Sequence, residues 1–165
     1  MANTYELIAN QLLTTTTASI TFSSIPGTYT DLKIVASIRS NGGSEDYSSI
    51  SFNGSGTGFS SIYLQGNGSS ASSGSLARWG GNYSAANNTA NTFGSAELYF
   101  PNYASSSYKS YYVDNVTENS GTTAYAGIVT GLWSNTSAIT SITLTANGGS
   151  YVAYSNFYLY GIKNS

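Results

Sequence analysis

SITFSSIPGTYTDLKIVASIRS, residues 19–40, decides the fold class. Ile20 and Phe22 alternate with polar neighbours, and Leu32, Ile34, Ala36 and Ile38 do the same beyond the Ile25-Pro26-Gly27 break. A period of two puts successive side chains on opposite faces, the pattern of half-buried strands. The stretch therefore reads as two strands hinged at the proline. Asp31, opening the second, is placed as a turn-capping acid.

The same pattern extends outward to both ends. Strands are expected over residues 5–13, 18–22, 32–39, 49–53, 61–65, 96–100, 108–113, 124–133, 139–146 and 156–162. Short strands at this spacing, parted by Gly, Ser and Asn turns, predict an antiparallel β-sandwich in one domain spanning residues 1–165. Pro26 and Pro101 fall outside the strand centres, as the missing ladder donor requires. Residues 66–91, GNGSSASSGSLARWGGNYSAANNTAN, carry the weakest pattern and read as one long loop bearing Arg78, Trp79 and Tyr83.

A chain of 165 residues buries about 70% of its unfolded surface, enough for a core without metal or disulfide staples. Charged residues make up only 7% of it, against about 25% in an average domain. The net charge is −2, and the five basic residues are scattered, so a cationic footprint for nucleic acid is missing. Near its start the chain shows neither a basic region nor a continuous apolar run, so no signal peptide is expected. A run of about 18 apolar residues is also lacking, so no membrane span is expected.

Histidine and cysteine are both absent, which removes Ser-His-Asp and Cys-His nucleophiles and the ordinary zinc sites. Ser106 and Lys109 have the S-x-x-K spacing, but on a strand rather than at a helix start. The seven acids offer no two carboxylates on one face of one strand, which a glycosidase sandwich would need. Glu97 is expected to face solvent. Glu45 and Asp46 in a glycine-rich loop are read as a turn rather than a calcium loop, because the alternating acids of an EF-hand are missing. No catalytic residue, metal or cofactor is expected.

Aromatic side chains remain the strongest functional signal, with 15 tyrosines and two tryptophans. Rigid rings with a polar tip suit protein interfaces, and their faces can also stack on sugar rings. Trp79, Tyr83, Tyr111, Tyr112, Tyr151 and Tyr154 are the candidate contact residues. A subunit interface is the first reading and a glycan site the second.

YELIA at residues 5–9, the stretch 19–40, and FYLYGIK at residues 157–163 resemble small virion proteins of tailed bacteriophages. Relatives of that kind are head decoration (cement) proteins and tail-fibre or tail-tip modules. The resemblance implies a jelly-roll-like sandwich whose first and last strands lie near each other. It further implies a virion location after synthesis in the host cytoplasm, with the major capsid protein and copies of the chain itself, as a homotrimer, for partners. A tail-associated module binding a host surface glycan is the alternative it leaves open.

Overall fold

The computed structural model describes residues 4–43, 46–117 and 124–163. Among them are twelve strands and no helix. In chain order these are β1 (Tyr5–Leu12), β2 (Ser19–Phe22), β3 (Asp31–Ile38), β4 (Asp46–Phe52), β5 (Phe59–Gly66) and β6 (Ala71–Leu76). They continue with β7 (Trp79–Tyr83), β8 (Gly94–Phe100), β9 (Lys109–Thr117), β10 (Tyr125–Trp133), β11 (Ile142–Ala146) and β12 (Asn156–Ile162).

Two antiparallel sheets form a sandwich. The larger runs β1-β12-β3-β8-β9-β10-β5-β6 and the smaller β2-β11-β4-β7. The chain stays within one sheet only through the β5–β6 hairpin and the β8–β9–β10 meander, and every other connection crosses between sheets. The 19–40 stretch is one such crossing: β2 belongs to the small sheet and β3 to the large one. Between them Ile25 is buried, its N–H donates to Thr140 O (2.9 Å), and the Pro26 carbonyl accepts from the Tyr103 hydroxyl. First and last strands are neighbours, with Leu7 opposite Tyr160 and Gln11 opposite Phe157.

The core follows from alternation. Ile20, Phe22, Ile50, Phe52, Ile142 and Leu144 of the small sheet meet the inward residues of the large one, among them Leu32, Ile34, Leu98, Val113 and Leu159. Phe52 stands at the centre, 5.2–6.1 Å between ring centroids from Phe59, Phe100, Tyr111 and Trp133. Each such aromatic pair adds about 0.5–1.5 kcal/mol beyond its buried area.

All ten expected strands are present. The expected loop over residues 66–91 is not one loop, because it contains β6 and β7. β6, ASSGSL, is a small-residue edge strand with little alternation to detect. β7, WGGNY, is buried along its whole length, and its two glycines are dictated by fit. A Cβ on Gly80 would stand 3.1 Å from Ser48 Cβ, and one on Gly81 would stand 2.9 Å from Val113 Cγ1, at a φ of +92°. Glycines that count against a strand in sequence are here what lets one enter the core. The irregular remainder, after β7, is held by Arg39, whose guanidinium donates to Thr89 O (2.9 Å) and Thr92 O (2.8 Å).

Candidate functional site

The six candidate contact residues divide by burial. Trp79, Tyr83, Tyr111 and Tyr151 are buried in the core and unavailable as surface contacts, which corrects the expectation drawn from their residue types. Trp79 lies edge-on to Tyr63 (4.1 Å) and Tyr47 (5.8 Å). Tyr83 donates its hydroxyl to Tyr47 O (2.8 Å) and packs on Tyr151, whose own hydroxyl pairs with Ser48 Oγ (2.8 Å). Burial raises all three phenols, Tyr111 to about 12 and Tyr83 and Tyr151 further. Tyr112 and Tyr154 are exposed, at 45% and 76%.

Other sequence candidates resolve into structural roles. Asp31 is a capping acid, but for the turn after β8: its carboxylate accepts from Asn102 N–H (2.8 Å) and from the Tyr99 hydroxyl (2.6 Å). That second bond, with burial added, lifts Tyr99 to about 12. Lys109 is buried on β9 and donates to the Ser107 (2.5 Å) and Thr136 (3.4 Å) carbonyls; burial lowers its pKa. Its amine thus clasps two loops. Asp46 opens β4, buried, with Oδ1 accepting from Tyr47 N–H (2.8 Å) and Gly148 N–H (2.7 Å); Glu45 lies outside the described residues. Among the described residues no three His, Cys, Asp or Glu side chains gather as a metal site.

What the sheet assembles instead is a two-sided contrast. The outer face of the small sheet is hydroxylic, with Ser19, Thr21, Thr143 and Thr145 in view and Thr21 and Thr143 sharing a 2.8 Å hydrogen bond. The outer face of the large sheet is aromatic and aliphatic. One row reads Leu7, Tyr160, Lys33, Tyr99, Tyr112, Thr130, Ile62, Ser75 across the eight strands. The adjacent row reads Asn10, Tyr158, Val35, Glu97, Asp114, Ile128, Leu64, Ser73. Residues directly opposite on one face lie about 5 Å apart at Cβ, so each row is a continuous line of touching positions.

Two zones result. Around β12, β3, β8 and β9 the rings pair, Tyr158 with Tyr160 (6.5 Å, 27° between planes) and Tyr99 with Tyr112 (5.3 Å, 31°). Between them Lys33 Nζ bonds Glu97 Oε2 at 2.7 Å, which raises the lysine. Over β10 and β5 the face turns aliphatic, with Ile62, Leu64, Ile128 and Leu132 exposed; Leu64 and Ile128 line a shallow depression beside Asp114, and Ile62 and Leu132 line a second one.

Reading single strands missed one feature of this face. Glu97 on β8 and Asp114 on β9 stand directly opposite each other. No strand carries both, so only the register brings the two carboxylates together. Glu97 is exposed, as its alternation predicts.

Comparison of the chain with protein-family models, with curated proteins and with solved structures found no match.

Proposed function

We propose that this chain is a structural protein of a phage virion, a capsid decoration or cement protein that binds between capsid subunits through the outer face of its eight-stranded sheet. The supporting observation is the unequal dressing of the two outer faces. Ser and Thr cover the small sheet, whereas Tyr5, Leu7, Ile62, Leu64, Tyr112, Val116, Ile128 and Leu132 are exposed on the large one. Apolar area collected on one face is a docking surface rather than ordinary scatter. A broad eight-stranded sheet suits a lattice partner, because binding needs breadth rather than a cleft. The aliphatic zone over β10 and β5 supplies an uncharged centre for the contact, with Lys33, Glu97 and Asp114 to one side. The sequence resemblance supplies the virion context.

The test is the stability of particles with and without the protein. Particles lacking it should release DNA at lower temperature and after milder osmotic shock, and Ile128→Lys protein should fail to restore them. Equal stability of the two kinds of particle would overturn the cementing role.

A second reading rests on the Tyr99–Tyr112 ring pair beside Glu97 and Asp114: a tail module stacking a host glycan on the tyrosines. It moves the glycan site from buried Trp79 and Tyr83 to this face. Binding to a host-polysaccharide array that Tyr112→Ala abolishes would favour it, and a blank array would dismiss it.

A further inference from the structure

The four sheet edges are not treated alike. β1 is interrupted by a bulge between Leu7 and Ala9 and carries the Glu6–Lys163 ion pair (3.0 Å). β2 is four residues long, and its Thr21 carbonyl accepts from the Gln11 side chain (2.8 Å). β7 is buried throughout. Bulges, charges, shortness and coverage are the devices by which edges avoid pairing with another chain. β6 has none of them. Its six residues, Ala71-Ser72-Ser73-Gly74-Ser75-Leu76, contain no charge and no proline, pair with β5 without a register shift, and are largely exposed.

β6 is also held firmly. Asn67 Oδ1 accepts from the Ser69 (3.0 Å) and Ser70 (2.8 Å) N–H groups in the β5–β6 turn. On the inner side Tyr63 lies over Gly74, its cross-strand partner, and is itself pinned by Trp79. An uncharged edge in regular register, tied at its turn and at Gly74, is a template with less left to order when a partner arrives.

We propose that β6 pairs antiparallel with β6 of a second copy across a two-fold axis, joining two eight-stranded sheets into one of sixteen. The sequence favours a copy of itself. With no charge on the strand nothing repels its own image, and Ala, Ser and Gly side chains leave room at every facing position. The pairing also continues the aliphatic zone. β5 strands on the two copies would lie about 14 Å apart, three strand spacings, so Ile62 and Leu64 of each would flank one shared band. A six-residue contact is small, which places the dimer among weak, transient interfaces. This inference is independent of the virion reading, since self-association in solution needs no capsid.

Sedimentation of the full chain from about 1 µM to about 1 mM, the range of weak affinities, tests it. The expected result is a monomer–dimer equilibrium in the wild type and a dissociation constant raised at least tenfold in S73K/S75K. With the axis at Gly74 each new lysine faces a lysine of the other copy (73 opposite 75), and with the axis at Ser73 the lysine at 73 faces its own image. Like charges directly opposite are destabilising in either register. Thr145→Lys on the small sheet should leave the constant unchanged. On the wild type alone, hydrogen exchange at residues 71–76 should slow as concentration rises. A chain monomeric throughout, a trimer (which an isologous contact cannot close), or a dimer indifferent to S73K/S75K or with unchanged exchange at residues 71–76 overturns the proposal.

Discussion

Replacing Gly131 by alanine would put a methyl group where the Tyr111 ring now lies. Gly131 and Tyr111 are directly opposed on β10 and β9, and the ring closes over the glycine main chain so that an added Cβ would fall within it. The ring has nowhere to go. It is buried and packed on Phe52 (6.1 Å) and Phe100 (6.3 Å), which belong to opposite sheets. Overpacking a core of this kind costs about 1–3 kcal/mol. With the ring unable to move, the upper part of that range applies, about 2–3 kcal/mol. Alanine would recover about 0.4–1 kcal/mol by restricting the unfolded chain, leaving a net loss of roughly 1–2 kcal/mol. In urea, with a slope of about 2 kcal/mol/M, the midpoint should fall by roughly 0.5–1 M. Fluorescence of the buried Trp133 reports the transition. The decisive background is Tyr111→Leu: with the ring gone, the same alanine should be neutral or stabilising, a coupling of at least about 1 kcal/mol. A Gly131→Ala midpoint equal to or above wild type, or one penalty in both backgrounds, would refute the packing reasoning.

Alkali should unfold the protein where neutral pH leaves it alone. A phenol whose folded pKa is raised contributes stability that is complete below about pH 10 and is lost as pH rises through the folded value. For Tyr111, at about 12, the contribution is roughly 2–3 kcal/mol, and Tyr83 and Tyr151 act in the same direction. With no histidine, stability should be flat from about pH 6 to 9. Phenolate absorbance should therefore rise in an early gradual phase and a late cooperative one coincident with loss of circular dichroism; a single step near pH 10 with the fold intact contradicts this. Tyr154 sits at a φ of 71°, in the left-handed region, so Tyr154→Gly should be more stable than Tyr154→Ala by about 1 kcal/mol, the reverse of the usual order. Thermal melts of the two variants decide it, and an alanine variant at least as stable as the glycine one refutes it.

The parts of this fold that could be read in the sequence are those where one face is wet. β3 and β9 alternate cleanly because each second residue meets solvent or the outer face, and alternation is what survives in a string of letters. β7 could not be read, since a strand buried on both sides has no alternation and its glycines look like turns. The contact residues failed for a related reason. Tyrosine and tryptophan are amphipathic, so residue type alone does not say whether the hydroxyl of Tyr83 reaches water or the carbonyl of Tyr47. For Tyr111 and Tyr112 the period of two requires one in and one out, but not which. The two-row surface and the Glu97–Asp114 pair belong to strand register, a property of pairs of strands that no single segment encodes.

Because β1 and β12 are partners, the described ends of the chain meet: the Lys163 N–H donates to the Thr4 carbonyl at 3.0 Å. Anything attached before Thr4 or after Lys163 would leave from one corner of the large sheet. The bare strand β6 lies at the opposite edge, seven strand spacings or about 33 Å away. A label or fused domain at either end would thus leave both the edge and the aliphatic zone clear, while two copies joined through β6 would present their attachments at opposite extremes of a single sheet.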